Sequence, residues 1–135
     1  MGFTAAFLDR FEVIRTLGQG GMGQVLLAKS RSDGQSVAIK VIFSGGFGDA
    51  ESRHRFLMEA RVTERLNHPA IVRVIEHGAD GDQLYLVLEL VSGGDLGSLV
   101  DSGPMEPAPF FRVARPVLAG IAFAHAQGVL HRDIK

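Results

Sequence analysis

Short apolar runs separated by turn-forming residues dominate the first 90 positions of this 135-residue chain. The runs are rich in Val, Ile, Leu and Phe and are bounded by Gly, Asp and Ser, a pattern typical of β-strands. They predict strands at residues 11–17, 24–29, 36–42, 71–76 and 83–90. We expect these five strands to pair in an antiparallel arrangement.

Helical patterns fall mainly in the last third of the chain, with one earlier helix inserted between the third and fourth strands. Asp49 can cap that helix, which runs to about Leu66, and Pro69 ends it because the residue before a proline disfavours helical dihedrals. A short helix is predicted at residues 95–100 and a longer one at 107–127, where apolar residues recur at three- and four-residue steps. The order of elements indicates an α+β fold.

Composition narrows the class of protein but does not identify it. Apolar residues make up 46% of the chain and charged residues 21%, as in ordinary globular domains. The net charge of −1 argues against a nucleic-acid-binding surface. The absence of cysteine excludes disulfides and thiolate metal sites. We found no secretion signal and no apolar run long enough to span a bilayer, so we expect a cytoplasmic protein without visible membrane attachment.

Residues 18–25 read Gly-Gln-Gly-Gly-Met-Gly-Gln-Val and hold the pattern G-x-G-x-x-G-x-V. Glycine allows the backbone to approach a phosphate closely. A dinucleotide-binding fingerprint with the same glycines requires a helix after the last glycine, but residues 24–29 predict a strand. The other alternative is a glycine-rich hairpin turn without a ligand, which this motif alone leaves open.

The run Val37-Ala38-Ile39-Lys40 places a small residue and a cation on one face of a strand, because strand side chains alternate. Ala38 leaves room for a flat base, and Lys40 can reach its phosphates. The alternative is a solvated lysine at a sheet edge. Glu59, on the inserted helix, is the candidate carboxylate to hold Lys40, and its alternative is a solvated surface acid.

The last five residues are His131-Arg132-Asp133-Ile134-Lys135. An aspartate beside a substrate hydroxyl can orient it and accept its proton, and a nearby lysine can balance charge on a phosphoryl group in transfer. The alternative for Asp133 is an ordinary turn or cap residue.

These three motifs stand in the order found in the protein-kinase superfamily, and residues 11–135 resemble bacterial serine/threonine kinases of the eukaryotic-like type. The resemblance implies transfer of the ATP γ-phosphoryl group to a Ser or Thr hydroxyl of a protein substrate. It implies a five-stranded antiparallel small lobe with helix C and a hinge at 11–90, the first helices of a large lobe at 91–135, and an extension at 1–10. A nucleotide-binding pseudokinase or scaffolding module is the alternative.

The resemblance also assigns roles to residues. Lys40 pairs with Glu59, Asp133 is the catalytic base, and Lys135 assists it. Leu88 is the gatekeeper, and the ATP site is formed by Leu17, Gly18, Gln19, Gly20, Gly21, Met22, Gly23, Gln24, Val25, Ala38, Lys40, Leu88, Glu89, Val91 and Asp95. Glu89 and Val91 are expected to meet the adenine edge through their backbones. Leu17, Val25, Ala38 and Leu88 are expected to line the adenine pocket, and Asp95 to contact the ribose.

ATP and Mg²⁺ are the cofactors that the resemblance implies. The usual metal ligands follow the catalytic loop and would lie beyond Lys135, so we expect no metal site within these residues and no catalysis by the 135 residues alone. Without the rest of a large lobe, the helical segment is expected to expose an apolar patch around Phe110, Phe111, Val117 and Leu118.

Overall fold

The computed structural model describes residues 2–20, 23–42, 50–131 and 134. Its elements in chain order are α1 (Ala5–Arg10), β1 (Phe11–Gly20), β2 (Gly23–Ser30), β3 (Ser36–Ile42), α2 (Ala50–Glu64), β4 (Val74–Asp80), β5 (Gln83–Glu89), α3 (Leu96–Val100) and α4 (Pro107–Ala126). They divide into two compact units. Unit 1 comprises residues 1–65 and 73–90, and unit 2 comprises residues 66–72 and 91–135.

The five strands form one antiparallel sheet in the order β1-β2-β3-β5-β4. The predicted α+β architecture is therefore confirmed, and β3 lies in the middle with a partner on each side. The helix predicted from Asp49 to about Leu66 is present as α2, although Asp49 itself lies outside the described residues.

The fourth strand begins later than its apolar pattern predicted. The prediction was residues 71–76, whereas β4 starts at Val74 and continues to Asp80. The residues after Pro69 form a turn instead, in which the Ala70 amide donates to His68 Nδ1 at 3.0 Å and the Ile71 amide donates to the His68 carbonyl at 3.0 Å. These local bonds satisfy backbone donors that a strand would have offered to its neighbour.

One face of the sheet carries the main core of unit 1. Its buried cluster comprises Phe7, Phe11, Leu26, Ala28, Val37, Ile39, Val41, Tyr85 and Val87. Along β3, Val37, Ile39 and Val41 are buried, whereas Lys40 is exposed. The predicted alternation of this strand is thus realised, and it separates a core face from the face that carries the lysine.

The helix α1, which lies in the region predicted as an extension, packs onto the core face of the sheet. The Phe7 ring lies 5.1 Å from Phe11 and meets Tyr85 edge-on at 5.2 Å, and Phe7 is only 3% exposed. Thr4 caps α1 by accepting from the Phe7 amide, and both its amide and its hydroxyl donate to the buried carboxylate of Asp80. α1 therefore contributes aromatic core to unit 1.

In unit 2, α4 packs against the segment 66–72. A Cβ on Gly120 would lie 3.1 Å from the Ala70 Cβ, and the Phe123 ring lies 5.2 Å from that of His68. The four residues of the expected apolar patch are exposed by 47–65%: Phe110, Phe111, Val117 and Leu118. Within the described ranges, no helix is both long and apolar enough to cross a bilayer.

We expect Phe7→Ala to lower the free energy of unfolding by about 3–5 kcal/mol, because it removes a buried ring from a packed aromatic cluster. Urea titration followed by tyrosine fluorescence measures this locally, since Tyr85 is the chain's one tyrosine and there is no tryptophan. The matched control is Leu8→Ala on the same helix, where the side chain is 43% exposed and the change should stay within about 0.5 kcal/mol. Equal midpoints for the two variants would contradict the packing described for α1.

Candidate functional site

A row of directly opposed residues joins the glycine-rich loop to Lys40. Gly18 on β1 lies opposite Val25 on β2, and Val25 lies opposite Lys40 on β3. The row continues on β5, where Leu86 lies opposite Lys40. Residues directly opposite each other in an antiparallel sheet project to the same face. The lysine therefore shares its face with the strands that carry the glycines, and this face is the one opposite the core.

A second row lies two residues along the same face. Ala38 is opposite Leu27 on one side and Leu88 on the other. Ala38 is buried and Leu88 is partly buried, so the surface beside Lys40 is apolar. Because β3 is the central strand, Lys40 does not lie at a sheet edge, although its side chain is exposed.

Three of the residues predicted to line an adenine pocket, Val25, Ala38 and Leu88, thus share one sheet face. The fourth, Leu17, is next to Gly18 at an irregularity in the pairing of β1 with β2 and is 40% exposed. The sequence pattern and the register agree on a small, apolar surface beside a cation. This surface is complementary to a flat aromatic base that carries phosphates.

The glycine-rich segment forms a β-hairpin. Gln19 lies opposite Gln24, Gly20 lies opposite Gly23, and the chain continues as the strand β2. A dinucleotide fingerprint would need a helix at this point, so that alternative is excluded. Gly21 and Met22, which are also predicted to contact ATP, lie outside the described residues.

The glycines of this hairpin are not equivalent. A Cβ on Gly23 would collide with the backbone carbonyl of Val41, so packing of β2 on β3 requires glycine there. A Cβ on Gly18 or Gly20 would meet no described atom within 4 Å, and neither residue has a left-handed φ. Neither packing nor backbone conformation within the described residues therefore explains glycine at these two positions. Close approach of a ligand would explain it.

The structure does not bring Lys40 and Glu59 together as an ion pair. Both side chains are exposed, and none of the ion pairs among the described residues joins them. Thr63, one turn further along α2, donates its hydroxyl to the Glu59 carbonyl at 2.9 Å. The predicted Lys40–Glu59 pair is thus absent from this arrangement of α2.

The end of β5 carries the predicted adenine-edge residue Glu89. Its amide donates to the Arg73 carbonyl at 3.0 Å, and its carboxylate accepts from the Arg73 amide at 2.9 Å. The Glu89 amide is therefore already bonded and is not a free donor to a ligand. Val91, the second predicted contact, is 64% exposed.

Asp95, predicted to contact a ribose, caps α3. Its Oδ1 accepts from the Ser98 amide at 2.7 Å and from the Ser98 hydroxyl at 2.8 Å. These bonds favour the charged form, so the backbone and then the side-chain hydrogen bond from Ser98 lower the pKa of Asp95. A ribose hydroxyl would have to share or replace them.

The predicted catalytic pair, Asp133 and Lys135, lies outside the described residues. His131, at the start of the same motif, is exposed. Across the residues that the structure does describe, no three His, Asp or Glu side chains cluster closely enough to hold a metal ion.

Residues 11–135 match the family model described as protein kinase domain, and the chain belongs to this family. The chain is 40% identical over 126 residues to the serine/threonine-protein kinase pkn2 of Myxococcus xanthus. It is 41% identical over 133 residues to the serine/threonine-protein kinase PknL of Mycobacterium tuberculosis. The crystal structure of the Mycobacterium tuberculosis PknI kinase domain matches with a TM-score of 0.80 at 30% identity.

These matches cover nearly all of this chain but only part of each relative. They span 93% of the chain and 15% of pkn2, 97% of the chain and 33% of PknL, and 100% of the chain and 54% of the PknI domain. They confirm the predicted family, the relationship to bacterial serine/threonine kinases and the protein-kinase fold.

We expect protection of the Ser98 amide against hydrogen exchange to depend on the charge of Asp95. Because the pKa of Asp95 is lowered in the folded state, its cap is fully present above the ordinary value of 3.8 and is lost as the pH falls through the lowered pKa. Asp95→Asn keeps a capping oxygen and should remove this pH dependence, whereas Asp95→Ala should remove the protection at every pH. Identical profiles for the wild type and Asp95→Asn would contradict the assignment.

Proposed function

We propose that this chain is the nucleotide-binding part of an ATP-dependent serine/threonine protein kinase, which transfers the γ-phosphoryl group to a Ser or Thr hydroxyl of a protein. The observation that carries the proposal is the row Gly18–Val25–Lys40. It places the lysine on the face shared with two glycines whose identity the described packing does not explain. The serine/threonine kinases among the chain's relatives support the reaction type.

In this proposal the apolar surface binds the base and the polar groups bind the rest of the nucleotide. Val25, Ala38 and Leu88 contact the adenine ring, and the hairpin backbone at Gly18 and Gly20 approaches the phosphates. The remaining predicted contacts complete the site: Leu17, Gln19, Gly21, Met22, Gly23, Gln24, Val91, Asp95 and the Glu89 carbonyl. The exposed ammonium of Lys40 neutralises charge on the α- and β-phosphates as a compact point charge.

Asp133 orients the substrate hydroxyl and accepts its proton, and Lys135 balances charge on the phosphoryl group. Mg²⁺ bound with the nucleotide would supply positive charge against the charge that develops on the terminal phosphates. We place its ligands after Lys135, so that the 135 residues bind nucleotide but do not catalyse transfer. The partner is a protein substrate in the cytoplasm, and nucleic acid is not a partner.

One observation favours a second candidate, a nucleotide-binding pseudokinase or scaffolding module. The Lys40–Glu59 ion pair, which active protein kinases require, is absent from this structure. Phosphoryl transfer by the full-length protein discriminates between the two candidates. Turnover that disappears in Asp133→Asn supports the enzyme, whereas nucleotide binding without any turnover in the wild type supports the pseudokinase.

Lys40→Met is expected to weaken binding of ATP·Mg²⁺ to the chain by about 1.5–3 kcal/mol, or roughly 10- to 150-fold in Kd, because a charge-assisted contact is lost. Titration with a fluorescent ATP analogue measures the change. Lys29→Met is the charge-matched control, since Lys29 is exposed at the far end of β2, opposite Ser36. An unchanged Kd for Lys40→Met, or an equal loss for Lys29→Met, would contradict the role of Lys40.

The hairpin glycines give a second test, which separates folding from binding. Gly20→Ala should leave the thermal midpoint unchanged and weaken nucleotide binding, because its Cβ would meet no described atom within 4 Å but would occupy space that a ligand needs. Gly23→Ala should lower the free energy of unfolding by about 1–3 kcal/mol, because its Cβ overpacks against the Val41 carbonyl. If Gly20→Ala binds nucleotide as tightly as the wild type, the hairpin is an ordinary turn.

A further inference from the structure

A cleft of about 560 Å³ opens beside the C-terminal end of α1. Its lining comes from the end of α1, the turn between β2 and β3, and the ends of the strands, all within unit 1. The volume falls within the range of roughly 300–1,000 Å³ that is typical of small-molecule sites. Three arginines line it, and we call it the arginine cleft after them: Arg10, Arg31 and Arg73.

The arginine cleft and the candidate nucleotide site lie on opposite faces of the same two strands. Val37 on β3 and Val87 on β5 line the cleft, and both belong to the core cluster. Ala38 and Leu88, the next residues along each strand, project to the face that carries Lys40. A ligand in the cleft would therefore not contact the residues that we assign to the nucleotide.

Arg31 is anchored so that only the end of its guanidinium group is unused. Its amide donates to the Arg10 carbonyl at 2.9 Å, and its Nε donates to the Leu8 carbonyl at 3.0 Å. Within the described residues, no hydrogen bond or ion pair engages its two Nη atoms. Because the bond at Nε restricts the orientation of the group, these two donors are held in place beside the cleft.

Arg73 lines the cleft from the segment that leads into β4, and its backbone is also fixed. Its amide donates to the Glu89 carboxylate at 2.9 Å, and its carbonyl accepts from the Glu89 amide at 3.0 Å. Its guanidinium group forms no hydrogen bond or ion pair with any part of the chain that the structure describes. A single exposed arginine is an ordinary surface residue. Here two guanidinium groups with unused donors, both on anchored backbone, line one cleft.

The carboxylates of the cleft do not neutralise these two groups. The lining contains three of them, from Asp9, Asp33 and Glu76. Glu76 accepts two bonds from Arg10 Nη2, at 2.7 and 2.9 Å, and Asp33 Oδ1 accepts from the Gln35 amide at 3.0 Å. In the described ranges, none of the three carboxylates forms an ion pair with either unused guanidinium group.

We propose that the arginine cleft binds a small organic anion, with its carboxylate or phosphate group on Arg31 and Arg73 and its apolar body against Ile75. Planar guanidinium groups bind anionic oxygens through parallel pairs of hydrogen bonds. Ile75 is 47% exposed and supplies apolar surface, whereas Val37 and Val87 are buried. The bound anion would link the β2–β3 turn to the start of β4.

Titration of the full-length protein with benzoate and with phenyl phosphate, followed by the methyl NMR signal of Ile75, tests the proposal for the two anionic groups. At least one of these probes should bind and shift the signal. Benzyl alcohol has the ring without the charge, and it should bind about tenfold more weakly or worse, because charge-assisted hydrogen bonds are missing. Inorganic phosphate has the charge without the ring and should also bind more weakly. Absence of a shift with both anions, or equal binding of either control compound, would overturn the proposal.

Arg73→Met removes a guanidinium group without breaking any hydrogen bond of the described residues. It should weaken binding of the anionic probe by roughly 10- to 150-fold in Kd. Arg73→Lys keeps the charge but not the planar pair of donors, and it should restore only part of the affinity. Lys29→Met is the charge-matched control, since Lys29 is exposed on β2 and does not line the cleft. An unchanged Kd in Arg73→Met, or an equal loss in Lys29→Met, would refute the site.

Two further measurements separate the cleft from other binding sites. Lys40→Met should leave the Kd of the anionic probes unchanged, because Lys40 lies on the opposite face of the sheet. A loss of probe binding in this variant would place the probe at the nucleotide site. An Ile75 signal that shifts with protein concentration alone would assign the cleft to a second copy of the chain. Either result would overturn the proposal, whereas failure of the protein to bind nucleotide would refute only the proposed function.

Discussion

The central strand β3 is the constraint on which the rest of the structure depends. It is paired on both sides, so its backbone position is fixed by two ladders of hydrogen bonds. Its strict alternation places Val37, Ile39 and Val41 in the core and Ala38 and Lys40 on the opposite face. A shift of one residue would exchange the two faces and bury the lysine, and burial of an unpaired charge is strongly unfavourable. The hydrophobic core and the candidate site are therefore fixed by the same strand register.

The two faces of the sheet are supported by different parts of the chain. The aromatic side chains of α1 and β1 cover the core face. The hydrogen bond from the Thr4 amide to the Asp80 carboxylate joins the start of α1 to β4. The opposite face of the sheet carries Lys40 and a small apolar surface. The carboxylate expected to hold the lysine is on α2, a helix attached through the β4–β5 hairpin. The backbone that carries the lysine is thus fixed by pairing on both sides, whereas Glu59 lies on a helix joined to the β4–β5 hairpin by side-chain contacts.

Local patterns in the sequence were sufficient to predict the strands β1, β2, β3 and β5 and the strand face on which Lys40 lies. Period-two alternation is a property of a few consecutive residues, and the glycine hairpin likewise required no distant contact. The predicted start of β4 was wrong because the backbone after Pro69 forms a turn that is hydrogen-bonded to His68. The apolar residues of this segment do not indicate such a turn. The packing of α1 was missed, although Phe3, Phe7 and Phe11 at four-residue spacing were a signal for it.

Side-chain hydrogen bonds decided two features that sequence reasoning did not reach, one between distant residues and one within a helix cap. The contact between Glu64 and His77, which are 13 residues apart, joins α2 to β4 and could not be anticipated from either local pattern. The role of Asp95 as a helix cap depends on Ser98 and competes with the ribose contact that the family resemblance implied. At Asp95 the residue type was compatible with the prediction, and its hydrogen-bond partner Ser98 determines its role as a helix cap.

Methyl-group NMR of the chain during titration with ATP·Mg²⁺ is the most direct test of the site face. If the nucleotide binds on the Lys40 face, the methyl groups of Val25, Ala38 and Leu88 should show chemical-shift changes. The changes should be much smaller at Ile39 and Val87, which lie on the core face of the same sheet. Saturating nucleotide without shifts at Val25, Ala38 and Leu88, or with larger shifts on the core face, would contradict the assignment of the nucleotide to the Lys40 face.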